Sequence, residues 1–242
     1  MTLTASIRNR INRIPDGKLF GYSDLGVAKK DYMATAKAIE RLKKEGLIKV
    51  ALKGVYYKPE LTVFGELKPD YSEILRAYLF QNGKRIAYET GTSLYNRMGL
   101  TTQMAFRIKI ASRGKRININ FGSLQAVSAK SYVEVTDSNY EILGVLDAIK
   151  DIKRIPDCSL SQGILRLGTL LNSTKGKQAD LIIRCALQYP PRVRALLGAL
   201  LENNGVEQKR LEQLRDSLNP LSTFKLGIKE TDLPSKSKWY IE

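Results

Sequence analysis

Residues 19–59, LFGYSDLGVAKKDYMATAKAIERLKKEGLIKVALKGVYYKP, decide how the N-terminal part of this chain is read. An apolar entry, Leu19-Phe20, leads to a short helix predicted to open at Ser23-Asp24, and a turn through Gly26 and Lys29-Lys30 follows. A second helix is predicted from Asp31 to Glu45. Gly46 closes it, because glycine takes the left-handed conformation that helix C-termini commonly use. Beyond it, Leu47 to Leu52 and Val55 to Lys58 are β-prone runs joined by Lys53-Gly54, a hairpin pattern. Helix, turn, helix and hairpin, in that order, predict a winged helix-turn-helix.

The second helix carries the functional expectation. Thr35, Ala38, Ile39 and Leu42 recur at helical spacing and form one inward face, which leaves Tyr32, Met33, Ala34, Lys37, Arg41 and Lys44 outward. A helix that enters the major groove needs small residues near its N-terminal end, so that the backbone approaches base edges, and cations along its flanks for phosphates. Tyr32 and Lys37 are the base-edge candidates, with Met33 beside them. Lys30, Arg41, Lys44 and the wing-tip Lys53 are the phosphate candidates. A surface helix of any basic protein also exposes Lys and Arg; the Gly-Val-Tyr-Tyr-Lys-Pro run that follows favours the DNA-binding reading. Tyr56 and Tyr57 point to opposite faces of a strand, so one is expected beneath the helices and the other near the wing surface. Upstream, Ile7, Ile11 and Ile14 line one side of a further helix and Arg8, Arg10 and Arg13 the other, with Pro15-Asp16-Gly17 as its stop. Those arginines are either a solvated face or a reach toward the DNA backbone.

The 242 residues suffice for such a domain, roughly 60 residues, plus a second unit of ordinary size. We expect a DNA-binding domain over 1–60, an α+β domain with a helical second half over 61–222, and an irregular tail over 223–242. With 43% hydrophobic residues and a mean hydropathy of -0.25, the chain reads as folded and soluble. It has no apolar run of membrane-spanning length and no signal-peptide core, so a cytoplasmic location and no membrane partner are expected. Cys158 and Cys185 stand far apart without a second cysteine or any histidine nearby, which excludes a zinc finger and a disulfide framework and predicts two buried thiols.

The 40 basic residues against 24 acidic leave an excess of +16, unevenly placed. Between Lys84 and Lys130 stand nine basic residues and one acidic, Glu89, half of that excess. A second basic surface is therefore expected, built from Arg107, Lys109, Arg113, Lys115 and Arg116 among others; charge by itself does not choose between DNA and an acidic protein. Phe106, Ile108 and Ile110 alternate with Arg107 and Lys109, which predicts a strand with one buried face and one cationic face.

The segment Glu60 to Asp70 has no sustained periodicity and reads as a linker. Helices are predicted at Tyr71 to Gln81, with Asn82-Gly83 as stop, and at Thr92 to Arg97. Strands are predicted at Ala105 to Ala111, Arg116 to Asn120 and Leu124 to Val127. From Ser138 the pattern turns helical: Tyr140 to Ile152, Ser159 to Leu171, Asp180 to Gln188, Arg192 to Leu201 and Val206 to Leu218. The fold class is α+β, an N-terminal winged helix-turn-helix followed by a mixed α/β and helical C-terminal domain. Trp239-Tyr240 stands near the end of the tail, which is either disordered or pinned through those aromatics.

Signatures of catalysis are missing. The absence of histidine removes the commonest general base and the triad and zinc-water chemistries that need it. Gly114-Lys115 and Gly176-Lys177 lack the rest of a P-loop. Phe121-Gly122-Ser123 starts like a nucleotidyltransferase signature whose downstream Asp-x-Asp never follows. Asp147 and Asp151, one helical turn apart with Lys150, Lys153 and Arg154 around them, read as ordinary surface ion pairing rather than a metal site. The chain is expected not to be an enzyme and to hold neither cofactor nor metal.

Four stretches together resemble the AbiEi-like antitoxin proteins of bacteria: the winged-helix end Gly54-Val55-Tyr56-Tyr57-Lys58-Pro59, the run Met98 to Gln103, the run Leu146 to Asp157, and Tyr189-Pro190-Pro191-Arg192-Val193-Arg194 continuing to Ala199. The resemblance spans roughly residues 5 to 203, and the Gly-Leu-Thr-Thr-Gln and Tyr-Pro-Pro-Arg-Val-Arg runs are its more specific part. It implies the antitoxin of a type IV toxin-antitoxin system: an autorepressor on inverted repeats in its own promoter, opposing a nucleotidyltransferase toxin. It also implies a basic C-terminal surface that takes part in DNA binding. A stable homodimer and a monomer that dimerises on DNA are equally consistent with the residues. A protein-masking module with incidental DNA binding, or an RNA- or nucleotide-processing enzyme, are the competing readings.

Overall fold

Ile7 and Ile11 of α1 (Leu3–Asn12) pack against Ala38, Ile39 and Leu42 of α2 (Tyr32–Lys44), and this pairing is the centre of the N-terminal core. The computed structural model describes residues 3–28, 31–63, 65–81, 83–122 and 124–242. Lys29 and Lys30 of the expected turn, Asn82 of the predicted stop and Ser123 lie outside the described residues. The chain divides into two compact units, Met1–Phe80 and Gln81–Glu242.

In the first unit α2 buries Thr35, Ala38, Ile39 and Leu42, the face expected from their spacing. Its end is built as a Schellman motif. Gly46 sits at φ +76°; its N–H donates to the Lys43 carbonyl at 3.1 Å, and the Leu47 N–H to the Leu42 carbonyl at 3.1 Å. β1 (Leu19–Gly21), β2 (Lys49–Leu52) and β3 (Val55–Tyr57) make a three-stranded antiparallel sheet in the order β1-β3-β2, with Lys53-Gly54 as the tight turn and Gly54 at φ +77°. The expected helix at Ser23-Asp24 is not a helix. Three successive i→i+3 turns run from Gly21 to Gly26, locked by the Asp24 carboxylate accepting from the Gly21 N–H at 2.7 Å, with Leu25 buried beneath them. Four residues between two glycines are too few to offset the cost of nucleating an α-helix.

The expected linker is structured as well. Glu60–Thr62 (β4) and Gly65–Leu67 (β5) pair as a hairpin, β5 is tied to β2 through a Lys49–Glu66 ion pair, and α3 (Tyr71–Leu79) packs on β1 with Ile74 fully buried. Asp70 caps α3 by accepting from the Ser72 N–H at 2.9 Å. These contacts extend the first unit to residue 80 rather than 60.

Two two-residue strands, β6 (Phe80–Gln81) and β7 (Lys84–Arg85), stand at the junction. The second unit holds a mixed four-stranded sheet of β8 (Ala87–Thr90), β9 (Ile108–Ser112), β10 (Ile119–Phe121) and β11 (Leu124–Lys130) in the order β10-β11-β9-β8; β9 and β11 run parallel and the other pairs antiparallel. The helix α4 (Thr92–Arg97) borders the sheet. α5 (Tyr140–Asp151) lies on β8, and α6 (Leu160–Leu171), α7 (Lys177–Ala186) and α9 (Gln208–Asp216) surround α8 (Pro191–Asn203), whose Val193 and Ala195 to Leu201 are all buried. The architecture is α+β.

The tail is neither disordered nor a separate segment. Leu226, Ile228, Leu233, Trp239 and Ile241 belong to the core of the second unit. Trp239 is fully buried against α8 and donates its indole N–H to Glu202 at 2.8 Å, and the terminal residue's carbonyl accepts from the Leu226 and Gly227 N–H groups at 2.8 Å each. Burial of these five side chains, the Trp the largest of them, holds a chain end with little regular structure of its own. Cys185 is buried as expected, while Cys158 is only half-buried; both thiols are free, and burial raises the pKa of each.

Candidate nucleic-acid interface

The outward side of α2 places Tyr32, Met33, Ala34, Lys37, Arg41 and Lys44 in solvent, Tyr32 at 44% and Met33 at 78% exposure. Among the described residues Lys37, Arg41 and Lys44 have no carboxylate within ion-pair distance; only Lys43 on this helix is neutralised, by Glu40 at 2.9 Å. Lys53 is exposed at the tip of the β2–β3 turn. Lys30 lies outside the described residues. Tyr57 is buried and Tyr56 half-buried, as the strand alternation requires. Tyr56 joins an aromatic group with Phe20 (6.1 Å between ring centroids) and Tyr22 (6.2 Å), and Tyr22 in turn meets Tyr32 at 5.9 Å. Burial, followed by a hydrogen bond with Tyr22, pushes the Tyr56 hydroxyl up to about 12. The aromatic group thus braces the start of α2 against the hairpin.

Both arginines of α1 are structural ties. Arg8 pairs with Glu45 at the end of α2, and Arg10 donates to the Leu25 carbonyl in the turn segment. Arg13 is exposed.

The expected cationic sheet face is not formed. Lys109 is in register with Thr90, and Ala111 with Tyr88, so these four side chains share one face. That face continues beneath α5, where Tyr88, Thr90 and Ala111 are buried. Ile110 on the opposite face is buried too, and Phe106, expected inside, is 85% exposed ahead of the strand. A sheet covered on both faces has no room for a cationic one. Arg107 and Lys109 emerge only at its margin, Arg107 donating to Gln125 Oε1 at 3.0 Å and the Lys109 stem lying over Gly91. The charge is concentrated instead in the exposed β9–β10 loop. Arg113, Lys115 and Arg116 line a groove of about 610 Å³ with Asn118, Ser128 and Lys130. Lys130 and Asn118 were not singled out by the sequence, because only the parallel pairing of β9 with β11 brings Lys130 beside Ser112 and the loop that follows it. Arg97 and Arg85 are neutralised, by Glu89 and Asp137, each at 2.9 Å.

Asp147 is not a surface ion-pairing residue. It is 1% exposed and accepts hydrogen bonds from Tyr88 at 2.9 Å, Thr90 at 2.7 Å and Tyr189 at 3.3 Å, with Lys150 at 3.0 Å. Asp151 accepts from Tyr95 at 2.8 Å. Burial, then the neighbouring carboxylates, hold Tyr88, Tyr95 and Tyr189 above the ordinary tyrosine range. With its acceptor capacity spent on hydroxyls and an ammonium, Asp147 pins α5 to β8 and to the start of α8. The runs quoted for the family resemblance are architectural at several points. Gly99 closes α4 at φ +71°, Pro191 opens α8, and Arg192 and Arg194 donate to the Lys150 and Ser217 carbonyls at 3.0 and 2.9 Å. No cluster of three or more metal-ligating side chains occurs among the described residues, and no helix there is long and apolar enough to cross a membrane.

A family model described as a family of unknown function, DUF6088, matches residues 6–162. No curated protein matches the chain. Among solved structures, the RV2827C protein from Mycobacterium tuberculosis is similar at 14% sequence identity and a TM-score of 0.51, over 93% of this chain and 84% of that one. At that identity the likeness concerns the fold.

Proposed function

This chain belongs to DUF6088, a family of unknown function, and from its own geometry we propose that it is a non-catalytic, sequence-specific double-stranded DNA-binding protein whose first unit works as a winged helix. The observation that carries the reading is the outward side of α2. Its inner face is fully used in the core, and the opposite side offers Tyr32, Met33, Ala34 and Lys37, then the unpaired cations Arg41 and Lys44, to solvent. Helix diameter and charge both suit the major groove, and Lys53 at the hairpin tip suits the adjacent backbone. The loop cations Arg113, Lys115 and Arg116 with Lys130 supply further phosphate contacts from the second unit.

The resemblance to AbiEi-like antitoxins supports a narrower role in the cytoplasm: an autorepressor on inverted repeats of its own promoter and the antitoxin of a nucleotidyltransferase toxin, monomeric or dimeric until bound. Footprinting on the upstream region tests the repressor, and co-expression with the adjacent gene tests the antitoxin. Lys37→Ala is expected to lower discrimination between promoter and random DNA, and Lys53→Ala to weaken both about equally. An unchanged promoter preference in the Lys37 variant overturns the assigned role of α2.

A further inference from the structure

The first two turns of α2 are short of the groups that read bases by hydrogen bonding. Outward positions there are Tyr32, Met33, Ala34, Ala36 and Lys37. The hydroxyl of Thr35, the one short polar side chain in the stretch, is turned inward, fully buried and donated to the Asp31 carbonyl at 2.9 Å. Within α2 no Arg, Asn or Gln stands before Arg41, so the adenine pairing through Asn or Gln is unavailable to these turns and the guanine pairing is left to Lys37 alone. Tyr32 is braced by Tyr22, with ring centroids 5.9 Å apart. Met33 is the more exposed of the two large apolar side chains here, at 78% against 44% for Tyr32, and is flanked by the small Ala34. Leu61 and Val63 of the same unit are exposed too, on or beside the β4–β5 hairpin, but Met33 is the one that stands on the outward side of α2, as an unbranched, polarisable side chain. The apolar group on major-groove base edges is the C5-methyl of thymine.

We infer that Met33 and Ala34 read thymine methyl groups, so that the preferred half-site carries adjacent thymines facing the start of α2, with Lys37 contacting the next base. This rests on the DNA-binding reading above and specifies what that surface recognises.

The test uses the full chain and duplexes selected from a random pool at low salt. Each enriched duplex is compared with a copy in which deoxyuridine replaces thymidine, which deletes the methyl and keeps the pairing edge and the O4 acceptor. Affinity is expected to fall about fourfold for each contacted methyl removed, the effect of burying one methylene-sized group. Met33→Ala, at an exposed position that leaves the core intact, is expected to weaken thymidine duplexes by a similar factor and to have little effect on uridine duplexes. Enriched duplexes that bind equally well with either base overturn the methyl assignment and leave DNA binding standing. Equal weakening of wild type and Met33→Ala by deoxyuridine traces the effect to duplex shape and overturns the role of Met33. Failure to enrich any duplex overturns the DNA-binding reading, and this inference with it.

Discussion

Gly198 of α8 sits against the Trp239 indole, and replacing it with alanine should produce an effect whose sign depends on that one neighbour. A Cβ added at Gly198 would stand 2.5 Å or less from three ring atoms of Trp239, Cζ3, Cη2 and Cε3. Ordinary carbon contacts lie at about 3.5–4.0 Å, so the ring would have to retreat by roughly 1 Å or more. Its freedom to do so is small, since the ring is fully buried, hydrogen-bonded to Glu202 at 2.8 Å and covered by Arg215 at 5.0 Å. Overpacking of this kind costs about 1–3 kcal/mol, and the upper end applies here; expelling the ring altogether, about 3–5 kcal/mol, sets the ceiling. In a Trp239→Ala background the obstruction is gone. Alanine is then the better residue for a helix interior by about 0.5–1 kcal/mol, so Gly198→Ala should stabilise. The expected coupling is about 3 kcal/mol. Thermal unfolding of the four proteins, followed by far-UV circular dichroism, should show Gly198→Ala lowering Tm by about 5–10 °C in the natural background and raising it by about 2 °C without the Trp. Because Trp239 is the sole tryptophan, its emission in Gly198→Ala should also move to the red. Equal shifts in both backgrounds would refute the packing argument.

Asp147→Asn should cost about 3 kcal/mol in urea titrations because it leaves Lys150 and the Tyr88, Thr90 and Tyr189 hydroxyls facing an amide, whereas Asp137→Asn, at the 65% exposed partner of Arg85, should cost less than about 1 kcal/mol; similar losses for the two would show that the buried network is not what holds α5. Alkaline pH should destabilise the protein. The folded-state pKa values of Tyr88, Tyr95 and Tyr189 lie above the unfolded value near 10 and that of Tyr56 is about 12, so the folded state keeps protons that the unfolded state releases. Their stabilisation is complete below about pH 10 and is lost as pH rises through the folded-state values; a urea midpoint that does not fall between about pH 9 and 11 contradicts this. Arg41→Ala and Lys44→Ala should each reduce the slope of log affinity against log salt by about 1 on duplex DNA, and an unaltered slope removes that residue from the phosphate contacts.

For this protein the sequence by itself determined whatever depends on near neighbours along the chain. The 3.6-residue spacing of Thr35, Ala38, Ile39 and Leu42 is enough to orient α2, and Gly46 and Gly54 are enough to end the helix and turn the hairpin. Thr92 to Arg97 and the helices from Tyr140 onward were legible for the same reason, and so were the outward candidates on α2. Only the tertiary structure decided which surfaces stay exposed once distant segments pack. The alternation of Arg107, Ile108, Lys109 and Ile110 describes a strand with one wet face, but the Thr90–Lys109 and Tyr88–Ala111 pairings and the helix laid over them cover it, and the charge emerges in a loop beside Lys130. Asp147 looked like a surface carboxylate because its three hydroxyl donors come from residues 88, 90 and 189, and the tail looked irregular because its largest anchor, Trp239, fits a gap in α8 that exists only where position 198 lacks a side chain. Local periodicity is set by backbone geometry over a few residues, whereas burial is a property of contacts between segments that no short window contains.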